Sequence, residues 1–99
     1  MTPNKKQLKH LQSISHGLQP VVRIGQKGVT EAVLAEVDIA LAHHELIKIK
    51  VGFGDREERK AIITKMAEDR DAVIIQQIGQ IAVLFKRNHE KPVIFFPKH

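Results

Sequence analysis

The apolar positions of this chain change their period several times, and each change marks an element. Near the start, Leu8, Leu11 and Ile14 fall on one side of a helical wheel, with Lys5, Lys9 and His16 opposite them and Lys6 on the flank. This predicts an amphipathic helix from about Pro3, capped by Thr2, to Ser15 or His16, where Gly17 stops it. A short β-branched strand from Pro20 to Ile24 follows, with Arg23 on one of its faces. From Thr30 to about His43 the set Val33, Leu34, Val37, Ala40 and Leu41 returns to helical spacing, and Val29 precedes Leu34 as in a hydrophobic staple. Ala32, Ala35 and Ile39 widen this apolar surface, which predicts a second helix covered on more than one side.

Between Leu46 and Val51 the period drops to two, with Ile47, Ile49 and Val51 alternating with Lys48 and Lys50, the pattern of a strand with one buried face. Gly52-Phe53-Gly54 breaks this strand, and Asp55 with Glu58 predicts a capped third helix, with Ile62, Ile63, Met66 and Ala67 inward, ending near Asp69 or Arg70. Ala72 to Ile78 and Ile81 to Phe85 then read as strands joined by Gly79-Gln80, a two-residue connection that closes an antiparallel hairpin. From Asn88 the pattern is less regular, and Val93 to Phe96, between Pro92 and Pro97, is predicted to pack along the domain edge. The order helix, strand, helix, strand, helix, strand, strand needs crossover connections first and a hairpin last. It predicts an α/β fold, of the α+β two-layer or sandwich kind, with a four-stranded mixed sheet covered by helices. Ninety-nine residues make this one domain, 1–99.

Charge adds direction to this outline. Residues 1–30 carry Lys5, Lys6, Lys9, Arg23 and Lys27 and no acid, so the whole net charge of +5 arises there, while all 11 acids follow. The asymmetry predicts a basic face for a polyanion, the alternative being a solvated face with no partner. The absence of cysteine excludes disulfides, thiolate metal sites and a cysteine nucleophile. The polar start has no apolar core behind it and the longest apolar run is Ile81 to Phe85, so neither a signal peptide nor a membrane span is predicted, and a cytoplasmic protein is expected.

Gly25-Gln26-Lys27-Gly28 joins the first strand to the second helix. Its glycines permit unusual torsions and remove side chains that would hold a ligand off, Lys27 adds a cation, and Thr30 can cap the next helix. The positive end of that helix would then face the loop, a combination suited to phosphate. An ordinary tight connection is the competing account. Other motifs lead nowhere. Gly52-Phe53-Gly54 has Glu57 where a dinucleotide loop needs its third glycine, and Lys27 is followed by glycine where a phosphate loop needs a hydroxyl residue. His43-His44-Glu45 opens like a zinc helix, but Lys48 occupies the second ligand position, so no metal and no cofactor is predicted. No hydroxyl has a nucleophile's context, and the chain is read as a non-enzyme. Were the polyanion a nucleic acid, having only Phe53, Phe85, Phe95 and Phe96 as aromatics favours backbone and shape recognition over base stacking.

Pro20-Val21-Val22 running into Gly25-Gln26-Lys27-Gly28-Val29-Thr30, then His43 to Val51, and finally Ile78-Gly79 with Val83-Leu84-Phe85-Lys86-Arg87 together resemble the YhbY family, the stand-alone bacterial form of the CRM (chloroplast RNA splicing and ribosome maturation) domain. The likeness spans about Pro3 to Arg87. It implies a fold similar to the C-terminal domain of bacterial translation initiation factor three, RNA binding through the glycine loop and nearby basic surface, and association with precursors of the large ribosomal subunit. By position it implies contacts from Gly25, Gln26, Lys27 and Gly28 and from Lys5, Lys6 and Lys9; the reading of the residues themselves adds Arg23 and the cap Thr30, with Lys48, Lys50 and Arg87 as further candidates. The expected partner is rRNA, bound by a monomer without a membrane. A small phosphoryl-compound enzyme using the loop as an anion cradle, and a protein-interaction adaptor, are the alternatives from other classes.

Overall fold

The structure is a computed structural model that describes residues 2–97; Met1, Lys98 and His99 of the predicted 1–99 domain lie outside the described residues. Its first helix, α1 (Lys5–Ser15), starts later than Thr2 and Pro3 predict. Asn4 is the cap: its Oδ1 accepts from the Gln7 amide at 2.8 Å, and the Gln7 side chain accepts from the Asn4 amide at 3.0 Å. This reciprocal pair satisfies two end groups at once, which a lone threonine two residues earlier cannot do. After it come β1 (Pro20–Ile24), α2 (Glu31–His44), β2 (Leu46–Val51), α3 (Arg56–Asp69), β3 (Val73–Ile78) and β4 (Ile81–Phe85). Asp55 and Glu58 form the predicted capping box of α3.

The strands make one mixed sheet in the order β1-β2-β4-β3, with β1 parallel to β2 and the other pairs antiparallel. The alternation of β2 sorts its residues between two cores. Ile47, Ile49 and Val51 face α2 and α3 together with Val22, Ile24 and Leu84, against Val37, Leu41, Ile63 and Met66. Leu46 faces the other way, with Val83, Phe85 and Ile75, against Leu11 of α1. β3 carries a bulge that the sequence pattern does not announce: Ile74 pairs with Leu84 and Gln76 with Val83, so Ile75 is the extra residue, buried against α1.

One expectation about α2 fails. Ile39 is 60% exposed, and Ala32 and Ala35 are exposed too, so the helix is covered only on its sheet side. Helical periodicity reports that a residue is apolar on a given face; only the presence of a third layer could bury it.

Residues after β4 fold back across the α1-side core, where Ile94 and Phe96 pack, as the sequence predicts for this segment. Their anchor is Glu45, the residue between α2 and β2, which sits at φ 61° with its side chain fully buried. Its carboxylate accepts from the backbone amides of Asn88 at 2.6 Å, Val93 at 2.6 Å and Ile94 at 2.7 Å, with Arg87 Nη1 at 3.2 Å. Burial opposes ionisation, but the amides of Ile94, Asn88 and Val93, with the Arg87 guanidinium beside them, outweigh it and hold this carboxyl below the usual carboxylate range.

Candidate nucleic-acid interface

Three turns meet at one end of the sheet, and their cross-links position the glycine loop. The Gly52 amide donates to the Ile24 carbonyl at 2.8 Å and the Val51 amide to the Gln80 carbonyl at 2.7 Å. Arg59 of α3 donates from Nε to the Gly79 carbonyl at 3.1 Å and from Nη1 to the Gly54 carbonyl at 2.6 Å. Sequence reasoning missed Arg59, because its partners lie in turns that only the fold brings together. Within the loop, the Gly28 amide closes a turn onto the Gly25 carbonyl at 2.9 Å.

The two loop glycines do different work. Gly28 stands at φ +79°, a torsion that other residues adopt only with strain. Gly25 has an ordinary torsion, and at both positions a Cβ would find no atom within 4 Å, so the loop backbone is open on its outer side. Gln26 and Lys27 are exposed. The Thr30 hydroxyl oxygen accepts from the Val33 amide at 3.2 Å, so Thr30 caps α2 as predicted and has its hydroxyl proton left for a ligand. Glu31 in the first turn already answers part of the helix's positive end, which leaves Lys27 and the open backbone as the loop's main offer to an anion.

Lys48, Lys50 and Arg23 share the α1 side of the sheet, since they alternate with residues that face α2 and α3. Arg23 and Lys50 are direct neighbours in the parallel register. α1 covers only the end where Leu46, Val73 and Phe85 lie, so Arg23 stays exposed and both lysines are half-buried. Lys5, Lys6 and Lys9 are exposed on the outside of α1. They lie in the first half of α1, whose inner face packs over Leu46 and Phe85, whereas the loop follows Ile24 at the Val51 end of the strands, and Arg23, Lys48 and Lys50 fall toward that end. Neither α1 nor any strand contains an Asp or Glu, and among the described residues Arg23, Lys48 and Lys50 have no salt-bridge partner. A cleft of about 620 Å³ between α2, α3 and the chain after β4 is different, because Asp38, Asp69 and Glu90 line it beside its basic groups.

Arg87 leaves the predicted set. Its Nη1 donates to the Ile94 carbonyl at 2.7 Å and pairs with Glu45, while its guanidinium carbon lies 5.4 Å from the Phe96 ring centre. It fastens the tail and is committed to internal partners. The zinc-like segment is accounted for in the same way, because Glu45 turns inward to the tail while His43 and His44 end α2 exposed.

The sheet's α1 side thus carries a row of cations with an open glycine turn at its end. The chain matches the CRS1/YhbY (CRM) domain over residues 4–86, and it belongs to that family. It is 44% identical over 92 residues to an RNA-binding protein of Haemophilus influenzae, covering 93% of each chain. It is 36% identical over 88 residues to a protein of Pseudomonas aeruginosa named a probable RNA-binding protein, covering 89% of this chain and 85% of the other. The solution structure of a Staphylococcus aureus protein described as a candidate RNA binder superposes with a TM-score of 0.80 at 27% identity, covering 97% of this chain and all of that one.

Proposed function

We propose that this protein binds structured RNA, mainly through backbone phosphates, and that its RNA is rRNA in precursors of the large ribosomal subunit. The observation that carries this reading is the acid-free face formed by α1 and the sheet, ending in the open Gly25–Gly28 turn. Lys5, Lys6 and Lys9 contribute from α1, Arg23, Lys48 and Lys50 from the sheet, and Gln26, Lys27 and Thr30 from the loop and its helix cap. Phosphate recognition suits the aromatic inventory: Phe85 is buried, Phe96 packs edge-on against it, and Phe53 packs against the other core, which leaves Phe95 of the tail as the one exposed phenylalanine ring among the described residues, too few for a base-stacking surface. The names of the relatives support RNA as the partner, and the family resemblance supports the ribosomal setting. The protein acts here as a binding module and a single chain, without catalysis.

The loop supplies the test. Lys27→Ala should weaken binding to many RNA sequences about equally and lower the slope of log affinity against log salt by about one. Gly28→Asp adds backbone strain at φ +79° and a negative charge, and should lose more. Lys27→Ala should melt like the parent, since Lys27 is exposed, and Gly28→Asp should stay folded with a lowered melting temperature, since its Cβ meets nothing but its φ is strained. Titration of structured RNA at several salt concentrations, with co-sedimentation on large-subunit precursors, reads the effect. Parent-like behaviour of both variants at every salt concentration would reduce the loop to a connection.

A further inference from the structure

One part of the cationic face does not suit phosphates. Ile78, at the end of β3, is 65% exposed, and it borders a depression of about 180 Å³ with Ile81 and Val83 as its other apolar walls. His16, Lys48 and Gln76 form the polar part of its lining. The bulge at Ile75 builds this site, because the extra residue turns Gln76 to the α1 side beside Val83, where simple alternation from Ile75 would have turned it away. His16 reaches the depression from the end of α1, and Lys48 from β2.

An RNA backbone gains nothing from an exposed isoleucine. A group that gains from all of these walls has a flat apolar surface, an edge with both donors and acceptors, and a negative charge close by. A nucleotide has that description. Its ring removes apolar side-chain area from water, and the Gln76 amide both donates and accepts. In a paired helix the rings are stacked and out of reach, so the nucleotide must be unpaired. Charge complementarity favours RNA as its source, since Arg23 and Lys50 continue the cationic row beside Lys48 and no acid lies in the strands or in α1.

We propose that this depression takes one unpaired base of the bound RNA, with its ring on Ile78 and Ile81, its edge at Gln76 and its phosphate at Lys48. The inference rests on the RNA-binding reading and adds to it a selective element: a preference for RNA that carries a bulged or looped-out nucleotide.

Two labelled RNA hairpins that differ only by one unpaired nucleotide in the stem test this, titrated with the full chain and with its Ile78→Ser and Gln76→Ala variants. The parent should bind the bulged hairpin about five- to tenfold more tightly, the size of one modest base contact. Both variants should lose that preference and keep the parent's affinity for the unbulged stem, and Ile78→Ser, at so exposed a position, should keep its melting temperature. Equal affinity of the parent for both hairpins, or a preference that survives both substitutions, would overturn the base site and leave RNA binding standing. Binding to neither hairpin would remove both.

Discussion

On the α2 and α3 side, the sheet presents Val22, Ile24, Ile47, Ile49, Val51 and Leu84 to two helices, and that layer also carries nine of the chain's 11 acids, in α2, in α3 and in Asp55 and Asp71 beside α3. On the α1 side, the same strands meet one helix at one end only and leave Arg23, Lys48 and Lys50 at the other, with no acid in α1 or in the strands. The contrast comes from strand alternation. In β2 each apolar residue after Leu46 serves the covered face and each lysine the open one, so a slip of one residue would exchange them. A full core on one face lets the other stay half-open, because burial there is needed only where α1 and the tail are fastened. On the proposed reading, stability and binding fall to different faces, and to different ends of the α1-side face.

This contrast can be broken at the fastened end. Phe85 is fully buried in the α1-side core and meets Phe96 of the tail edge to face, with ring centres 6.0 Å apart. Phe85→Ala should cost about 3–5 kcal/mol of stability. Denaturant unfolding measures this, and a parent-like midpoint would show that the α1-side core contributes little.

The anchor gives a smaller and pH-dependent effect. Glu45→Gln leaves one backbone amide facing an amide nitrogen in place of a carboxylate oxygen, and should cost about 1–3 kcal/mol at neutral pH. The native carboxyl titrates lower than it does in the unfolded chain, so its contribution is complete above the unfolded value of about 4.3 and is lost as pH falls through the native one. The gap between parent and variant should therefore narrow in acid. Chemical denaturation across pH 3–7 reads this, and a gap that widened toward low pH would reverse the sign argued for Glu45.

Most of the frame was legible in the sequence because it rests on local periodicity: all four strands, the Gly79-Gln80 hairpin and the Asp55 cap stand where the pattern puts them. The start of α1 was misjudged because Thr2-Pro3 and Asn4 with Gln7 are competing signals, and only the second closes a reciprocal box. Glu45 and Arg87 were not legible as a tail anchor, since their partners are set by the fold: Glu45 binds amides 43 to 49 residues away, and a lone acid between a helix and a strand looks like any solvated charge. The loop and the lysines were recognisable as candidates. Their separation along the face depends on how α1 crosses the sheet, and the bulge that aims Gln76 has no signature in Val73–Ile78.

The central claim is that a particular face, and not net charge, meets RNA. Lys50→Ala and Lys65→Ala each remove one positive charge from a chain of net charge +5, the first from the open sheet face and the second from α3, where Lys65 pairs with Asp69 at 3.2 Å. Affinities of the two folded variants for the same structured RNA, taken across salt, compare the faces directly. Lys50→Ala should bind severalfold more weakly, with a salt slope lower by about one, and Lys65→Ala should bind like the parent. Equal losses in the two variants would assign binding to overall charge, and a loss confined to Lys65→Ala would place the RNA on the opposite face.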